Sequence, residues 1–110
     1  MRMRAPLQGD IILINLSPTL GHEQKGARPA LVISKSNFNK VTQMCIVVPI
    51  TNSKKGYPFE VTVTSTKTKG VILSDQIRTI DFIARKAKVI DKVTSDCLQK
   101  VLKKVKLVLE

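Results

Sequence analysis

The fold of this 110-residue chain is limited most by a series of short apolar runs, rich in valine and isoleucine, with polar turns between them. Runs of this length and composition are typical of β-strands. We predict strands at Ile11–Leu16, Ala30–Ser34, Gln43–Ile50, Phe59–Thr64, Val71–Leu73, Gln76–Ile80 and Ala84–Ile90. The fifth and sixth runs are interpreted as two strands joined by a Ser74-Asp75 kink, although one bent strand would fit equally well. Because the third run is apolar on both faces, we expect it to be covered on both sides, and Pro49 places its end at a sheet edge or bulge.

The last segment has a different period. Apolar residues recur there at spacings of three and four with lysines between them, which indicates an amphipathic helix containing Leu98, Val101, Leu102, Val105 and Leu109. Thr94 or Ser95 can cap its N-terminus, and its lysines are interpreted as a solvated face. Many short strands followed by one helix predict a mainly β domain spanning 1–110, a strongly curved antiparallel sheet or barrel closed by the helix. Residues 1–8 are expected to form a flexible N-terminus.

The charge balance indicates the type of partner. Nineteen lysines and arginines against eight acidic residues give a formal charge of +11, which favours a polyanion, first nucleic acid and second an acidic protein segment. A basic surface that serves only solubility is the alternative. No apolar run is long enough to span a membrane, and Met1-Arg2-Met3-Arg4 is not followed by a signal-peptide core, so we expect a cytoplasmic protein.

The cysteines do not indicate a metal site or a disulfide framework. Cys45 and Cys97 have no CxxC spacing, and the chain has one histidine to assist them. We therefore expect two reduced thiols that serve as small core residues, and no metal cofactor.

The polar segment at 21–29 concentrates groups that could cleave RNA. Such cleavage without a metal requires a base for the 2'-hydroxyl, a cation for the phosphate and an acid for the departing 5'-oxygen. Glu23 or His22 could transfer the proton, and Arg28 could hold the phosphate through its planar guanidinium. Arg28 and Pro29 are expected where this loop meets the second strand.

Further candidates lie later in the chain. Thr51 could donate a hydrogen bond to a phosphate oxygen, Asp75 is a second carboxylate at a strand kink, and Lys54 and Lys55 are expected to contact phosphates. Three of the candidates also have a purely structural interpretation. Glu23 could be a solvated loop carboxylate, Arg28 an ion-pair former and Thr51 a turn cap.

Five segments in order resemble one known family. They are Gly9-Asp10; Gly21-His22-Glu23-Gln24 with Gly26 and Arg28-Pro29; Val48-Pro49-Ile50-Thr51; Gly56-Tyr57-Pro58-Phe59-Glu60-Val61; and Asp75-Gln76-Ile77-Arg78-Thr79-Ile80-Asp81. Together they are similar to the MazF/PemK toxin endoribonucleases, over nearly the whole chain. The resemblance implies an SH3-like curved β-barrel with a C-terminal helix, and a homodimer that cuts single-stranded mRNA without metal, leaving a 2',3'-cyclic phosphate and a 5'-hydroxyl. It also implies inhibition by an acidic antitoxin of the MazE/PemI type.

The resemblance also implies roles for individual residues. Arg28 and Thr51 match catalytic positions, and Glu23 matches a proton-transfer glutamate. His22 and Asp75 match residues with roles in the PemK branch. That branch has an arginine two positions before its aspartate, whereas this chain has Leu73, so we favour Glu23 and Arg28, with His22 assisting. The expected RNA contacts are Gln24, Lys25, Asn52, Ser53, Lys54, Lys55, Gln76 and Arg78.

Two other functions fit the same features. One is a non-catalytic, CcdB-like toxin of the same fold that poisons DNA gyrase. The other is a basic RNA-binding barrel without catalytic activity. The intact Glu-Gln and Arg-Pro pairs favour the nuclease over the gyrase poison, which would not require them.

Overall fold

The structure is a computed structural model that describes residues 4–15 and 27–110. These residues form a mainly β protein with seven strands and two helices. The strands are β1 (Asp10–Asn15), β2 (Ala27–Val32), β3 (Met44–Thr51), β4 (Glu60–Thr62), β5 (Val71–Leu73), β6 (Arg78–Asp81) and β7 (Lys88–Lys92), and the helices are α1 (Ser36–Thr42) and α2 (Ser95–Leu109).

All strand pairs are antiparallel, and the sheet is strongly curved. The strand order is β4-β5-β3-β2-β1-β7, while β6 pairs with the first half of β3. Of the predicted alternatives, curved sheet or barrel, the structure has the curved sheet, because the terminal strands β4 and β7 do not pair along their length. Their ends meet only at an isolated bridge between Ser65 and Val93. A curved sheet with a C-terminal helix is confirmed.

The three central strands are buried on both faces. Their side chains alternate between two apolar clusters, because successive residues of a strand point to opposite faces. Residues such as Ile11, Leu31 and Val48 belong to the cluster that α2 covers, and residues such as Ile12 and Val47 belong to the other. The predicted double cover of the third strand is therefore confirmed.

Helix α2 begins where its sequence predicts. The Thr94 hydroxyl caps it by accepting a hydrogen bond from the backbone N–H of Cys97 at 3.2 Å. Val101 and Val105 are buried as predicted, but Leu109 is 73% exposed, because the helix extends past the sheet surface that buries its first turns. Neither described helix is long and apolar enough to cross a membrane.

Both cysteines are free and buried, as predicted. Burial raises the pKa of Cys45 to about 12, since a thiolate would have to be desolvated. Cys45 therefore remains a protonated, unreactive core residue.

Several predicted boundaries are wrong. Strand β2 begins at Ala27, so Arg28 and Pro29 belong to the strand. The segment around 84–90 starts with a turn in which Lys86 has a φ of 52°, and the strand begins only at Lys88. Strand β4 is shorter than predicted, and a short helix, α1, fills the interval between the second and third predicted strands.

Other features follow the sequence more closely. The kink at Ser74-Asp75 separates two strands, which selects the first of the two predicted alternatives. Pro49 is inside β3, yet it lies between the positions that pair with β6 and those that pair with β5. Part of the expected flexible N-terminus is held in place, because the buried Asn39 side chain donates to the Pro6 carbonyl at 2.8 Å.

Candidate active site

The candidate site is built on the neighbouring strands β2 and β3. Their register pairs Ala30 with Pro49, and its continuation by two residues brings Arg28 opposite Thr51. Alternation along the strands places both side chains on the sheet face opposite α2. Two adjacent strands therefore hold a guanidinium and a hydroxyl side by side at the end of the sheet.

Arg28 and Thr51 line an open cavity of about 560 Å³. Its other lining residues are Pro29, Pro49, Ile50, Asn52, Ser53 and Lys69. Among the residues that the structure describes, Arg28 forms no ion pair, so its charge is available to the cavity. The structure thus brings together Arg28, Thr51, Asn52 and Ser53 from the predicted site.

Lys69 is a site residue that the sequence reasoning missed. It lies in the loop just before β5. The following residue, Gly70, has a φ of +125°, and a Cβ built on it would lie 2.5 Å from the Thr51 carbonyl oxygen. Only glycine, which has no Cβ, can lie this close to the Thr51 carbonyl oxygen. A Lys-Gly pair before a short strand was the available signal, but its partner Thr51 could not be inferred from spacing.

Asp91 on β7 anchors the loop that carries Lys69. Its carboxylate accepts hydrogen bonds from the backbone N–H of Lys67 at 3.1 Å and from the N–H and hydroxyl of Thr68 at 2.8 Å each. Burial acts to raise the pKa of Asp91, but bonds from Thr68 and from the Lys92 and Lys67 backbone outweigh it and hold the pKa far below its ordinary value. The ionised carboxylate therefore fixes the loop.

A second cavity of about 320 Å³ adjoins the first, because Thr51 and Ser53 line both. Its remaining walls are Lys55, Tyr57, Glu60, Leu73 and Gln76. The Glu60 carboxylate accepts bonds from the backbone N–H groups of Lys55 and Gly56, both at 2.9 Å, and so orders the basic loop. The Thr51 hydroxyl accepts from the Ser53 N–H at 3.1 Å, so Thr51 caps a turn and also lines both cavities.

Asp75 lines neither cavity. Its Oδ2 accepts a hydrogen bond from the Tyr57 hydroxyl, and its Oδ1 is buried without a partner among the described residues. This bond is the main cause of the raised pKa of Tyr57. The structure therefore links Asp75 to Tyr57, which the sequence reasoning did not include, and does not place it beside Arg28.

The remaining predicted residues are more dispersed. Arg78 is exposed on β6 opposite Val47, on the same sheet face as Arg28 but outside both cavities. Lys54 is exposed in the loop after β3 and lines neither cavity, whereas Lys55 and Gln76 line the second. The predicted residues His22, Glu23, Gln24 and Lys25 lie outside the described residues.

The chain is strongly basic, and its curved sheet places a guanidinium, hydroxyls and a lysine around one open cavity, which is the type of surface that attracts polyanions. The family model for PemK-like, MazF-like toxins of type II toxin-antitoxin systems matches residues 7–109. The chain therefore belongs to the PemK-like, MazF-like toxin family, and the predicted family is confirmed.

Individual relatives agree over nearly the full length. The chain is 40% identical over 104 residues to the Escherichia coli K12 endoribonuclease toxin MazF, covering 94% of each chain. The crystal structure of MazF from Deinococcus radiodurans matches with a TM-score of 0.84 at 39% identity, over 96% of each chain. A MazE-MazF crystal structure from the same organism matches with a TM-score of 0.83 at 34% identity, over 96% of this chain and 95% of that one.

Proposed function

We propose that this chain, an endoribonuclease toxin of a type II toxin-antitoxin system, cleaves single-stranded mRNA at short motifs without a metal ion. In the proposed reaction the RNA 2'-hydroxyl attacks the neighbouring phosphorus and the bond to the 5'-oxygen breaks. The products are a 2',3'-cyclic phosphate and a 5'-hydroxyl. The observation that carries this proposal is the pairing of Arg28 and Thr51 on adjacent strands in one open cavity.

The residues of the groove have different roles in this proposal. Arg28 stabilises the charge that builds on the phosphate, since a guanidinium donates two parallel hydrogen bonds to phosphate oxygens. Thr51 donates to a further oxygen, and Lys69 adds a positive charge at the same cavity. Glu23 takes or returns the proton and His22 assists, which family resemblance alone supports.

RNA contacts extend away from the scissile phosphate. Four residues that line the two adjoining cavities are proposed to contact bases and backbone: Asn52, Ser53, Lys55 and Gln76. Four other residues are proposed to contact flanking phosphates. Two of them are exposed, Arg78 on β6 and Lys54 in the loop after β3. The other two are Gln24 and Lys25.

The chain is further proposed to act in the cytoplasm as a homodimer that an acidic antitoxin inhibits. The +11 charge supports an acidic inhibitor. The MazE-MazF structures of relatives support a partner of the antitoxin type. Light scattering of the purified protein tests the dimer, and a single mass of one chain would contradict it.

The decisive test is incubation of the purified protein with a long single-stranded RNA in EDTA. Discrete fragments that end in a cyclic phosphate support metal-independent cleavage. Intact RNA together with inhibited DNA gyrase would instead establish the CcdB-like alternative. Intact RNA that is bound but not cut, with no effect on gyrase, would establish a basic RNA-binding protein.

A further inference from the structure

We propose that the second cavity is a nucleobase pocket in which an unstacked base lies against Tyr57, and that Asp75 is the positioning residue that holds the tyrosine. This inference rests on the proposed RNA cleavage and adds a specificity-determining residue to it. Single-stranded RNA is read in this way by many proteins, which stack splayed bases on aromatic rings and bond to their edges.

The Tyr57 ring is fixed from two sides. Its hydroxyl donates to Asp75 Oδ2, and its ring meets Phe59 edge-on, with 6.4 Å between the centroids and 86° between the planes. The ring is half-buried and still lines the cavity. A stacking surface held in this way loses little side-chain entropy when a base binds.

The other walls provide the groups that a base requires. Leu73 gives an apolar contact, and Gln76 offers an amide that both donates and accepts hydrogen bonds. Ser53 adds a hydroxyl, and Lys55 adds a cation. The volume of about 320 Å³ lies within the range of small-ligand pockets.

The pocket is also in the right place for specificity. Thr51 and Ser53 belong to both cavities, so a base in the second cavity would lie next to the phosphate held by Arg28 and Thr51. A base read there determines which phosphodiester bond is presented to Arg28. In this proposal, base recognition and cleavage thus both use the wall formed by Thr51 and Ser53.

Asp75 contacts a wall of the pocket without lining it. One carboxylate oxygen is engaged by Tyr57, the other is buried, and neither cavity includes the residue among its walls. Because Asp75 lies outside both linings and bonds to a residue that lines the second cavity, we infer that it acts through Tyr57. The proton transfer is left to groups elsewhere.

The experiment uses the full chain and two RNA probes. A random-sequence single-stranded RNA pool, with sequencing of the cleaved ends, gives the base preference at every position of the motif. An oligonucleotide carrying the wild-type motif and a 2'-deoxy sugar at the cut nucleotide gives the binding affinity without cleavage. Circular dichroism melting confirms that each variant is folded.

Tyr57→Ala should weaken binding of the deoxy oligonucleotide about tenfold or more, the range found when one base-stacking aromatic residue is removed. It should also relax the preference at one motif position and leave the others sharp. Tyr57→Phe keeps the ring for stacking but loses the bond to Asp75, so it should fall between wild type and Tyr57→Ala and resemble Asp75→Ala. Tyr57→Leu, which keeps apolar volume without the ring, should behave like Tyr57→Ala. Unchanged affinity and preference in folded Tyr57→Ala would overturn the proposal, and so would an equal loss at all motif positions.

Asp75 is tested by a pair of variants and by the pH profile. The amide oxygen of Asp75→Asn can still accept from the Tyr57 hydroxyl, so this variant should cost much less activity than Asp75→Ala and should keep the wild-type pH profile of kcat/KM. Loss of activity in Asp75→Asn equal to that in Asp75→Ala, with one limb of the pH profile missing, would show that Asp75 itself transfers a proton.

The proposed function and the pocket fail in different ways. If the wild-type protein leaves all RNA intact, the proposed function falls and the nucleobase pocket falls with it. If it cleaves RNA at a motif that folded Tyr57→Ala cuts with the same preference and affinity, only the pocket is refuted.

Discussion

Two cationic cavities of this protein differ in what holds their charges. The first cavity, with Arg28, Thr51 and Lys69, is formed by adjoining strands and a glycine-dependent loop. A separate cleft between β4 and α2, of about 460 Å³, carries Lys100, Lys103 and Lys104 beside apolar walls such as Val61 and Leu107. Both cavities carry lysines, but only the first of the two also has a guanidinium, which lies on a strand paired with the strand of Thr51.

We expect the first cavity to stabilise a transition state and the cleft between β4 and α2 only to attract anions at long range. Lysines on a helix face are hydrated point charges on long side chains, and Lys100 already pairs with Asp96 at 3.5 Å. A guanidinium and a hydroxyl on paired strands keep their relative geometry, as preorganised catalysis requires. Each of the following predictions strengthens or contradicts this contrast.

The largest expected effect belongs to Arg28. Arg28→Ala should reduce kcat by on the order of 10²–10³ or more, because it removes a charge-stabilising donor while leaving the packing unchanged. Arg28→Lys should recover only part of the activity, since lysine cannot donate to two oxygens in one plane. Single-turnover cleavage of the motif RNA measures both, and near-normal activity of a folded Arg28→Ala protein would refute the assignment.

Next in size is the loop that brings Lys69 to the site. Gly70→Ala should destabilise the protein by about 1–3 kcal/mol through backbone strain, with a further cost from the contact with the Thr51 carbonyl, and should impair cleavage. Gly56→Ala is the matched control: its φ of +77° is also positive, but an added Cβ meets nothing within 4 Å. Urea unfolding compares the two, and equal destabilisation would contradict a role for the close approach.

Thr51 should show a smaller effect on activity. Thr51→Val should lower kcat/KM about tenfold, the order expected for one lost hydrogen bond in the transition state. Thr51→Ser keeps the hydroxyl and should remain close to wild type. A Thr51→Ser protein as impaired as Thr51→Val would indicate that the methyl group, and not the hydroxyl, is required.

Asp91 affects stability and its pH dependence. Its pKa in the folded protein lies below the unfolded value of about 3.9, so its contribution is present above that pH and is lost as the pH falls through the folded pKa. Asp91→Asn should cost about 1–2 kcal/mol at pH 7 through weaker hydrogen bonds. It should also remove part of the stability loss below about pH 4. Urea unfolding at pH 7, 4 and 3 tests this, and parallel pH curves for the two proteins would contradict it.

The smallest effect is expected at the helix cleft. Lys69→Gln should reduce the slope of log affinity against log salt by about 0.7 for single-stranded RNA. The triple variant Lys100→Gln, Lys103→Gln, Lys104→Gln should reduce it by less, although it removes three charges. Filter binding of the deoxy motif oligonucleotide at several salt concentrations compares them, and a slope reduced by about 2 in the triple variant would place RNA on the helix.

How far the site can be read from the sequence depends on the kind of contact. Arg28 and Thr51 could be chosen from the sequence because residue type and family motif both mark them. Lys69 and Tyr57 could not, because their roles depend on Gly70 approaching Thr51 and on Asp75 meeting Tyr57, contacts between residues distant in the chain.

The fold shows the same division between features set by local sequence and features set by contacts between distant residues. The sequence by itself determined the β composition, the doubly buried third strand and the capped helix after Thr94, because these follow from local periodicity and hydrogen bonding. Only the tertiary structure decided that β2 begins at Ala27, that the segment before Lys88 turns and that the sheet stays open between β4 and β7. These features depend on which strands pair and in what register, and pairing energy comes from residues far apart in the chain.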